Sequence, residues 1–440
     1  MQQLQLVTPT GADLSEDRIR LDDVFGVARD LPRNYVVRNS VDKRLVDALT
    51  RNQHIVIYGS SKQGKTCLRK FNLRSTDYII LTCSNKWSLA QLHTAILKEA
   101  GFKVAGTTTR AVSGEAKISA KIGGGFSLFG NKATAEGGAE GGGKAERITE
   151  ERTLELDPAD VNDIIDALVT AYSPKYIVLE DFHYLPEETQ RDFAVALKAF
   201  HESSDFTFIV VGVWRDQNRL VQQNGDLTGR VVAIDADRWA EDELLQVIEG
   251  GEQLLNIEFA EQFKRELLHG CFTNVFVVQE SCRLACEQGG IYEPQSTIRY
   301  VAADASELIK EAVDAHSARY TGFIINFAVG FQKSTLEMYK WLLWPVLTAD
   351  VSELERGLKY SDLRAVLDER HPEAPINAGN ITQALQSAAS LQVGKMAIKP
   401  IILDYDETNR RLNVVDRSFL IWLQHQDRDE LLAFAELPAR

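Results

Sequence analysis

The stretch HIVIYGSSKQGKTCLRKF, residues 54–71, decides the fold of this chain. Its apolar run ends at Gly59, and the residues from Gly59 to Thr66 fit the pattern G-x-x-x-x-G-K-[ST]. Glycines let backbone N–H groups turn inward around an anion, and the helix that follows adds the positive end of its dipole. In such a loop the lysine, here Lys65, reaches the β- and γ-phosphates, and the hydroxyl of Thr66 binds Mg²⁺. The sequence therefore predicts a nucleotide site. The nucleotide-binding residues predicted on this loop are Gly59, Ser60, Ser61, Lys62, Gln63, Gly64, Lys65, Thr66 and Cys67.

The bulk composition sets the class of protein. The chain has 440 residues, enough for two or three domains, with 44% hydrophobic and 25% charged residues, as in ordinary globular proteins. A net charge of −14 disfavours non-specific binding of nucleic acid or membranes by the whole surface, although not by one local patch. Five cysteines suggest a reducing compartment, and the longest apolar runs are too short to cross a bilayer. We therefore predict a cytoplasmic protein without a membrane partner.

Apolar runs and helical patterns alternate through the first half of the chain. Such runs, nearly continuous in Val, Ile and Leu, are typical of strands buried on both faces of a parallel sheet. The predicted strands are 54–58, 78–83, 176–180, 206–213 and 231–234, and the helices between them are 65–73, 87–100, 158–172 and 187–203. A further amphipathic helix over 40–51 has Val41, Leu45, Val46 and Leu49 on one side. The alternation predicts a doubly wound α/β domain of the P-loop NTPase type.

A glycine-rich stretch interrupts this alternation. Of the 29 glycines in the chain, 11 lie between Gly106 and Gly143. Such a segment buries too little apolar surface to offset its ordering entropy. Two interpretations stay open: a disordered insertion, or a mobile loop or hairpin that contacts a partner or a neighbouring subunit.

Two carboxylates follow the third predicted strand of the sheet. Glu180 and Asp181 come directly after an apolar run in YIVLEDFHYL, residues 176–185. Glu180 stands where the acid that holds Mg²⁺ is expected, and Asp181 where the acid that polarises the attacking water is expected. The order reverses the commoner Asp-Glu pair, so the sequence leaves open which acid has which role. The adjacent His183 is interpreted as a structural histidine or as a residue that orients Asp181.

The second half of the chain is helical and ends in a hairpin. After residue 239 come amphipathic helices, and from about residue 334 three helices precede two short strands, which is the order of a winged helix. We predict an N-terminal tail over 1–30, an ATPase core over 31–238 with the insertion at 102–156, a helical lid over 239–330 and a winged helix over 331–440. The group His269, Cys271, Cys282 and Cys286 fits no common zinc spacing, so these cysteines are predicted to be buried thiols.

The motifs together resemble a known superfamily. NYVVR (34–38), the phosphate loop, the acidic strand end LEDFHYL and a helical lid are similar to AAA+ or STAND ATPases, and the domain order resembles origin-recognition initiators. The resemblance implies that Tyr35, Val36 and Arg38 frame the adenine and that ATP and Mg²⁺ are the cofactors, with the metal held by Thr66 and Glu180. It also implies a homo-oligomer that hydrolyses ATP and acts through an effector or regulatory protein, as in bacterial phage defence.

The same resemblance suggests which residues catalyse hydrolysis. The implied catalytic residues are Lys65, Glu180, Asp181 and Arg230. Arg230 precedes the fifth strand, where an arginine of such proteins reaches the γ-phosphate of a neighbouring subunit; the alternative is an ordinary surface arginine. Trp214 or Arg215 stands at the position of the γ-phosphate sensor, and Arg283 is the nearest candidate for a lid sensor.

The predicted winged helix could bind DNA or another protein. Its third predicted helix, Asn380 to Leu391, carries no charge but has amide and hydroxyl side chains that could read base edges. Residues 377–417 contain five cations and four acids, which gives little unopposed charge for phosphates. DNA contact and a protein-protein role both stay open. The function predicted first is a regulatory ATPase with a partner. The alternatives are a DNA-binding initiator or loader and a nucleotide-bound scaffold without hydrolysis.

Overall fold

The protein is described here from a computed structural model, which covers residues 18–26, 30–110, 116–123, 151–215, 219–237, 239–331, 335–396 and 398–439. The first half alternates strands and helices, with 3-10 turns at Phe182–Tyr184 and Gly225–Leu227. Its elements are α1 (Leu21–Val24), α2 (Asp42–Leu49), β1 (His54–Tyr58), α3 (Lys65–Asn72), β2 (Tyr78–Thr82), α4 (Leu89–Glu99), β3 (Lys103–Arg110), β4 (Ala116–Gly123), β5 (Glu151–Leu156), α5 (Val161–Thr170), β6 (Tyr176–Glu180), α6 (Glu187–Ser203), β7 (Thr207–Val211), α7 (Arg219–Gln223) and β8 (Val231–Asp235).

A five-stranded parallel sheet forms the centre of this half. Its order is β2-β6-β7-β1-β8, so β1 lies between β7 and β8, and β7 separates it from the acidic strand β6. All five strands were predicted within two residues of their ends, and the predicted fold class is confirmed. Because the strands are parallel, the loop after β1 and the acids after β6 emerge at the same edge of the sheet.

Helices cover both faces of the sheet. On one face Phe208 and Leu179 pack with side chains of α4, α5 and α6. On the other face Ile55 and Ile57 pack with side chains of α2 and α3. The prediction for Val46 on α2 is wrong. Val46 is 45% exposed, because the buried stripe of that helix runs through Leu45 and Ala48.

The insertion contains ordered strands. Strands β3, β4 and β5 form an antiparallel sheet in which β4 is central. The prediction of a disordered insertion is therefore wrong for these three segments. Residues 111–115 and 124–150, which include most of the glycines, lie outside the described residues, as do residues 1–17 of the predicted tail.

The second half is mainly helical. Its elements are α8 (Glu241–Leu255), β9 (Ile257–Phe259), α9 (Glu261–Gly270), α10 (Val275–Gln288), β10 (Arg299–Val301), α11 (Ala305–Asp314), α12 (Ser317–Val329), α13 (Met338–Thr348), α14 (Val351–Arg356), β11 (Leu358–Lys359), α15 (Tyr360–Arg370), α16 (Ala378–Gln386), α17 (Ala388–Gly394), β12 (Leu403–Asp406), β13 (Arg411–Val414), α18 (Arg417–Gln424) and α19 (Arg428–Phe434).

The C-terminal part has the arrangement of a winged helix. Strands β12 and β13 form the predicted hairpin, and β11 joins it to give the order β11-β13-β12. The third predicted helix is divided near Ser387 into α16 and α17. The apolar core of this part is continuous with that of the lid helices, and it also contacts the ATPase core, where Val213 and Tyr184 pack against Ile401 and Val415.

A close packing contact at the end of β7 gives a stability prediction. A Cβ on Gly212 would lie 1.6 Å from the ring of Trp214, which is fully buried. Because ring and backbone cannot both stay in place, we expect Gly212→Ala to lower the free energy of unfolding by about 2–3 kcal/mol. Chemical denaturation measures this. Gly322→Ala is the matched control, because no atom lies within 4 Å of its added methyl group. Equal stability of the two variants would contradict the packing argument.

Candidate nucleotide site

A cleft of about 380 Å³ lies at the carboxyl edge of the sheet, between the phosphate loop and the helices of the second half. Its walls bring together most of the predicted site residues. Those that line it are Tyr35, Val36, Arg38, Ser61, Lys62, Gln63, Gly64, Lys65, Thr66, Cys67, Glu180 and Asp181. Trp239, Phe276 and Gln279 close it from the lid side. A loop for phosphates, two acids and an apolar wall for a base therefore share one cavity.

The loop after β1 has the backbone that its glycines permit. Gly59 and Gly64 have φ values of 136° and 82°, in the region that favours glycine, and α3 begins directly at Lys65. A Cβ on Gly59 would lie 2.8 Å from the carboxylate of Asp237. The glycine is therefore needed for both conformation and space.

Lys65 lies inside this loop. Its Nζ donates hydrogen bonds to the carbonyl oxygens of Gly59 at 2.9 Å and of Ser60 at 2.5 Å. Burial lowers the pKa of Lys65 to about 8, although the carboxylates of Asp237 and Glu180 oppose this. A buried ammonium among acids is strongly attracted to a polyphosphate, since the local dielectric is low.

The two acids after β6 are held differently. Glu180 accepts a hydrogen bond at 3.1 Å from Nε of Arg69, which also donates to the hydroxyl of Tyr78. Asp181 has a left-handed backbone (φ 56°), and its carboxylate accepts no hydrogen bond from the described residues. Burial raises the pKa of both acids; Arg69 opposes this at Glu180, and Lys65 at Asp181. The carboxylate of Glu180 is therefore fixed by Arg69, whereas that of Asp181 is not held by a hydrogen bond from the described residues.

The donor set of the cleft fits Mg²⁺. The hydroxyl of Thr66 and the carboxylate of Glu180 are the hard oxygen ligands that this ion prefers, together with phosphates and water. In the described part of the chain, no group of three or more His, Cys, Asp or Glu residues could hold a metal by itself. Cys271, Cys282 and Cys286 are free thiols buried in the lid core.

The base end of the cleft is built from the segment before α2. Val36 lines it, and Tyr35 stacks on Phe71 with ring centroids 4.6 Å apart. The buried guanidinium of Arg38 lies 4.0 Å from the ring centre of Trp239 and donates to the carbonyl oxygen of Ala236 at 2.8 Å. Arg38 therefore holds the aromatic wall in place. No sequence pattern indicated Trp239, because it follows the last strand outside any motif.

Arg230 lies away from the cleft. Its carbonyl oxygen accepts from the backbone N–H of His54, where β1 begins, while the phosphate loop follows the end of β1. A five-residue strand separates the two by about 16 Å. The guanidinium pairs with Glu202 at 2.8 Å. Within one copy, Arg230 therefore cannot reach the phosphates bound to its own loop.

The predicted sensor residues also point elsewhere. Trp214 is fully buried beside Phe182 and does not line the cleft. Arg215 donates to the carbonyl oxygen of Glu355 in the winged helix, and Arg283 pairs with glutamates on its own helix. The cleft wall is formed instead by Val211, Gly212 and Val213 on the sheet side and by Gln279 on the lid side.

His183 has a structural contact. Its Nδ1 accepts a hydrogen bond from the backbone N–H of Val213 at 3.2 Å, so the proton of the neutral ring is on Nε2. Burial keeps the pKa of His183 well below its ordinary value. The neutral ring therefore ties the turn after β6 to the end of β7.

All five cations of the 377–417 segment contact other parts of the chain. Lys395 donates to the carbonyl oxygens of Gly330 and Phe331, and Lys399 lies 4.1 Å from the ring centre of Tyr184. The other three make similar contacts: Arg410 with the ring of Tyr360, Arg411 with the carbonyl oxygens of Arg356 and Gly357, and Arg417 with the carbonyl oxygen of Phe272. Each of these cations therefore has a contact within the chain, and Lys395, Lys399 and Arg410 are exposed as well.

Comparisons with known proteins find only distant similarity. No family model matches the chain, and no curated protein matches it. A Walker-type ATPase of Pyrococcus abyssi is similar in structure, with 11% identity, a TM-score of 0.47 and coverage of 92% of this chain and 99% of the other. The Orc1 protein of Aeropyrum pernix, solved in complex with DNA, has 10% identity, a TM-score of 0.39 and coverage of 91% and 94%. RuvB of Thermotoga maritima, a Holliday junction branch migration motor, has 12% identity, a TM-score of 0.35 and coverage of 89% and 96%.

Among the described residues, no helix is both long and apolar enough to cross a bilayer.

Proposed function

We propose that this chain is an ATP-binding and ATP-hydrolysing switch of the AAA+/STAND type, which changes its assembly with the nucleotide and acts through a partner protein. One observation carries the proposal: the phosphate loop, the acids after β6 and an aromatic base wall line one cleft that lid helices close. A structural loop without a ligand would not need a buried lysine surrounded by carboxylates.

Each residue of the cleft has its own role in the proposed hydrolysis of ATP. Loop N–H groups and Lys65 would hold the phosphates, and Thr66 and Glu180 would hold Mg²⁺, whose charge would offset that of the phosphates. Asp181 takes a proton from, or orients, the water that attacks the γ-phosphate. The products are ADP and inorganic phosphate, and the switch depends on the difference between the affinities of its two states for ATP and for ADP.

A second copy would complete the site. Arg230 lies at the sheet edge opposite its own loop and is partly exposed, as a residue that acts on a neighbouring copy must be. A cation at that point stabilises the charge that develops on the transferred phosphoryl group. We therefore propose a homo-oligomer with nucleotides bound between subunits.

The contacts of the winged helix favour a protein partner over DNA. Its cations contact other parts of the chain, and its third helix is interrupted near Ser387. We retain the division into tail, core, lid and winged helix as a proposal. A setting in phage defence follows from the resemblance to STAND regulators alone.

Light scattering with ATP, with ADP and without nucleotide tests the proposal, with ATPase rates measured in parallel. We expect a larger assembly with ATP and a rate per subunit that rises with protein concentration. Arg230→Ala should lower the ATPase rate of the assembled protein by at least about tenfold, because an arginine finger from a neighbouring copy stabilises the charge that develops on the transferred phosphoryl group. It should leave the affinity for ATP unchanged.

Arg191→Ala is the matched control, since Arg191 is also a surface arginine paired with a glutamate, Glu187. A monomer under all three conditions would contradict the inter-subunit mechanism. Salt-dependent binding of duplex DNA by the full chain would favour the initiator or loader alternative. Tight nucleotide binding without turnover would favour the scaffold.

A further inference from the structure

The phosphate loop is hydrogen-bonded to a carboxylate outside any motif. Asp237 lies two residues after β8, and its two oxygens accept from the backbone N–H and the hydroxyl of Ser60, both at 2.7 Å. These bonds fix the first turn of the loop, directly before the residues that would hold phosphate. The orientation of Asp237 therefore determines the shape of the loop.

Asp237 has a charged partner in the winged helix. Nε of Arg417, at the start of α18, lies 3.7 Å from its carboxylate, and the two side chains are only 10% and 8% exposed. Arg417 also donates to the carbonyl oxygen of Phe272 at 2.9 Å and to the hydroxyl of Thr273 at 2.6 Å. One guanidinium thus contacts the lid turn at Phe272 and Thr273 and the Asp237 carboxylate that accepts hydrogen bonds from the loop. We call Ser60, Asp237 and Arg417 the loop clamp.

A second chain of contacts runs in parallel. The side-chain amide of Gln63, in the loop, donates to Asn274 at 3.1 Å, and Asn274 donates to the hydroxyl of Ser418 at 3.1 Å. Ser418 follows Arg417 on α18. Two loop residues are therefore connected to two consecutive residues of one helix, and a movement of α18 must change both connections.

The burial of these groups gives the clamp its energetic importance. A buried carboxylate is costly unless cations compensate it. Asp237 interacts electrostatically with Arg38, Lys65 and Arg215 in addition to its ion pair with Arg417, so loss of Arg417 would leave Asp237 less compensated. Nε of Arg417 has no hydrogen-bond partner among the described residues and lies 3.7 Å from the carboxylate of Asp237, while Nη1 of the same guanidinium lies 3.5 Å from the carboxylate of Glu355. A small displacement of α18 would therefore alter the charge that Asp237 experiences.

We propose that Asp237 and Arg417 are positioning residues for the nucleotide, and that the winged helix sets the rate of nucleotide release through the loop clamp. The inference rests on the proposed function, because it needs a nucleotide on the loop. By linkage, if binding of a nucleotide stabilises the contacts between the loop and α18, a partner that moves α18 would change the affinity for the nucleotide.

Release of a fluorescent ribose-labelled ADP from the full chain tests the proposal. We expect Arg417→Ala to accelerate release about tenfold, in the range of coupling between neighbouring residues, and Asp237→Asn to do the same. Arg417→Lys, which keeps the charge, should restore most of the wild-type rate. The double variant should release ADP no faster than Asp237→Asn alone, because Arg417 acts through Asp237.

Arg219→Ala is the matched control. Arg219 also joins the core to the winged helix, through Asp404 at 3.2 Å, but it does not touch the loop. Its release rate should stay within about twofold of wild type. If Arg417→Ala releases ADP at the wild-type rate, or no faster than Arg219→Ala, the proposal is wrong. Additive effects in the double variant would also overturn it. Failure of the wild type to bind the labelled ADP would instead contradict the proposed function.

Discussion

Lys65→Ala is expected to raise the dissociation constant for ATP at least about a thousandfold, which corresponds to about 4 kcal/mol. The physical reason is the charge around the loop. Glu180, Asp181 and Asp237 all interact electrostatically with the buried ammonium. Without it, a polyphosphate would enter a cavity that presents carboxylates and no compensating buried cation at that point.

Calorimetric titration of ATP into the wild type and the variant measures this effect. Lys98→Ala, on the exposed side of α4, is the control for the loss of a lysine elsewhere. An affinity of Lys65→Ala within tenfold of the wild type would mean that the loop does not bind the phosphates.

Lys65→Ala is also expected to change how the free energy of unfolding depends on pH. Since the folded-state pKa of Lys65 is about 8, below the ordinary 10.5, the unfolded chain binds the additional proton between these values. The free energy of unfolding of the wild type should therefore rise relative to that of Lys65→Ala as the pH increases from about 8 to 10.5, and the difference should be flat below 8. Thermal unfolding across this pH range, without nucleotide, gives the comparison. A constant difference over the whole range would contradict the burial of the ammonium.

Local patterns were sufficient to predict the sheet and the loop. Strands buried on both faces are apolar throughout, so 54–58 and 176–180 could be located without any knowledge of their neighbours. The two glycines of the loop motif, Gly59 and Gly64, indicate the backbone geometry of the loop. Beyond a possible hairpin, the strands of the insertion were not predicted, because β4 pairs with β5 across a long glycine-rich segment and neither strand has strong alternation.

The contacts that shape the site are distant in sequence. Arg69 and Glu180 are separated by 111 residues, and Ser60 and Asp237 by 177. Neither Arg69 nor Asp237 belongs to a motif, and an arginine on α3 or an aspartate after β8 is equally compatible with a solvated surface. Pattern analysis could therefore name the residues that would touch a nucleotide but not those that hold these residues in position.

The two acids are expected to have different roles in hydrolysis, and loss of Asp181 is expected to have a large effect on the ATPase rate. Asp181→Asn is expected to lower the ATPase rate by a factor of about 100 to 1,000, with the affinity for ATP within about threefold of wild type. Asp181 is the acid without a hydrogen-bond partner among the described residues, so its carboxylate can turn toward a water molecule. Because an amide cannot take up the proton of that water, the hydrolytic step should fail while binding persists.

Glu180→Gln should behave differently. Its carboxylate is held by Arg69 at 3.1 Å, and in the proposed mechanism it would hold Mg²⁺. The variant should therefore require a higher Mg²⁺ concentration, and at saturating Mg²⁺ it should lose less of its ATPase rate than Asp181→Asn. Steady-state rates measured over a Mg²⁺ titration separate the two, with Asp192→Asn on α6 as the control for the loss of a remote carboxylate. The opposite ranking, with Glu180→Gln the more severe at saturating Mg²⁺, would assign the water to Glu180. It would then make the ion pair with Arg69 a contact that must open before each hydrolysis.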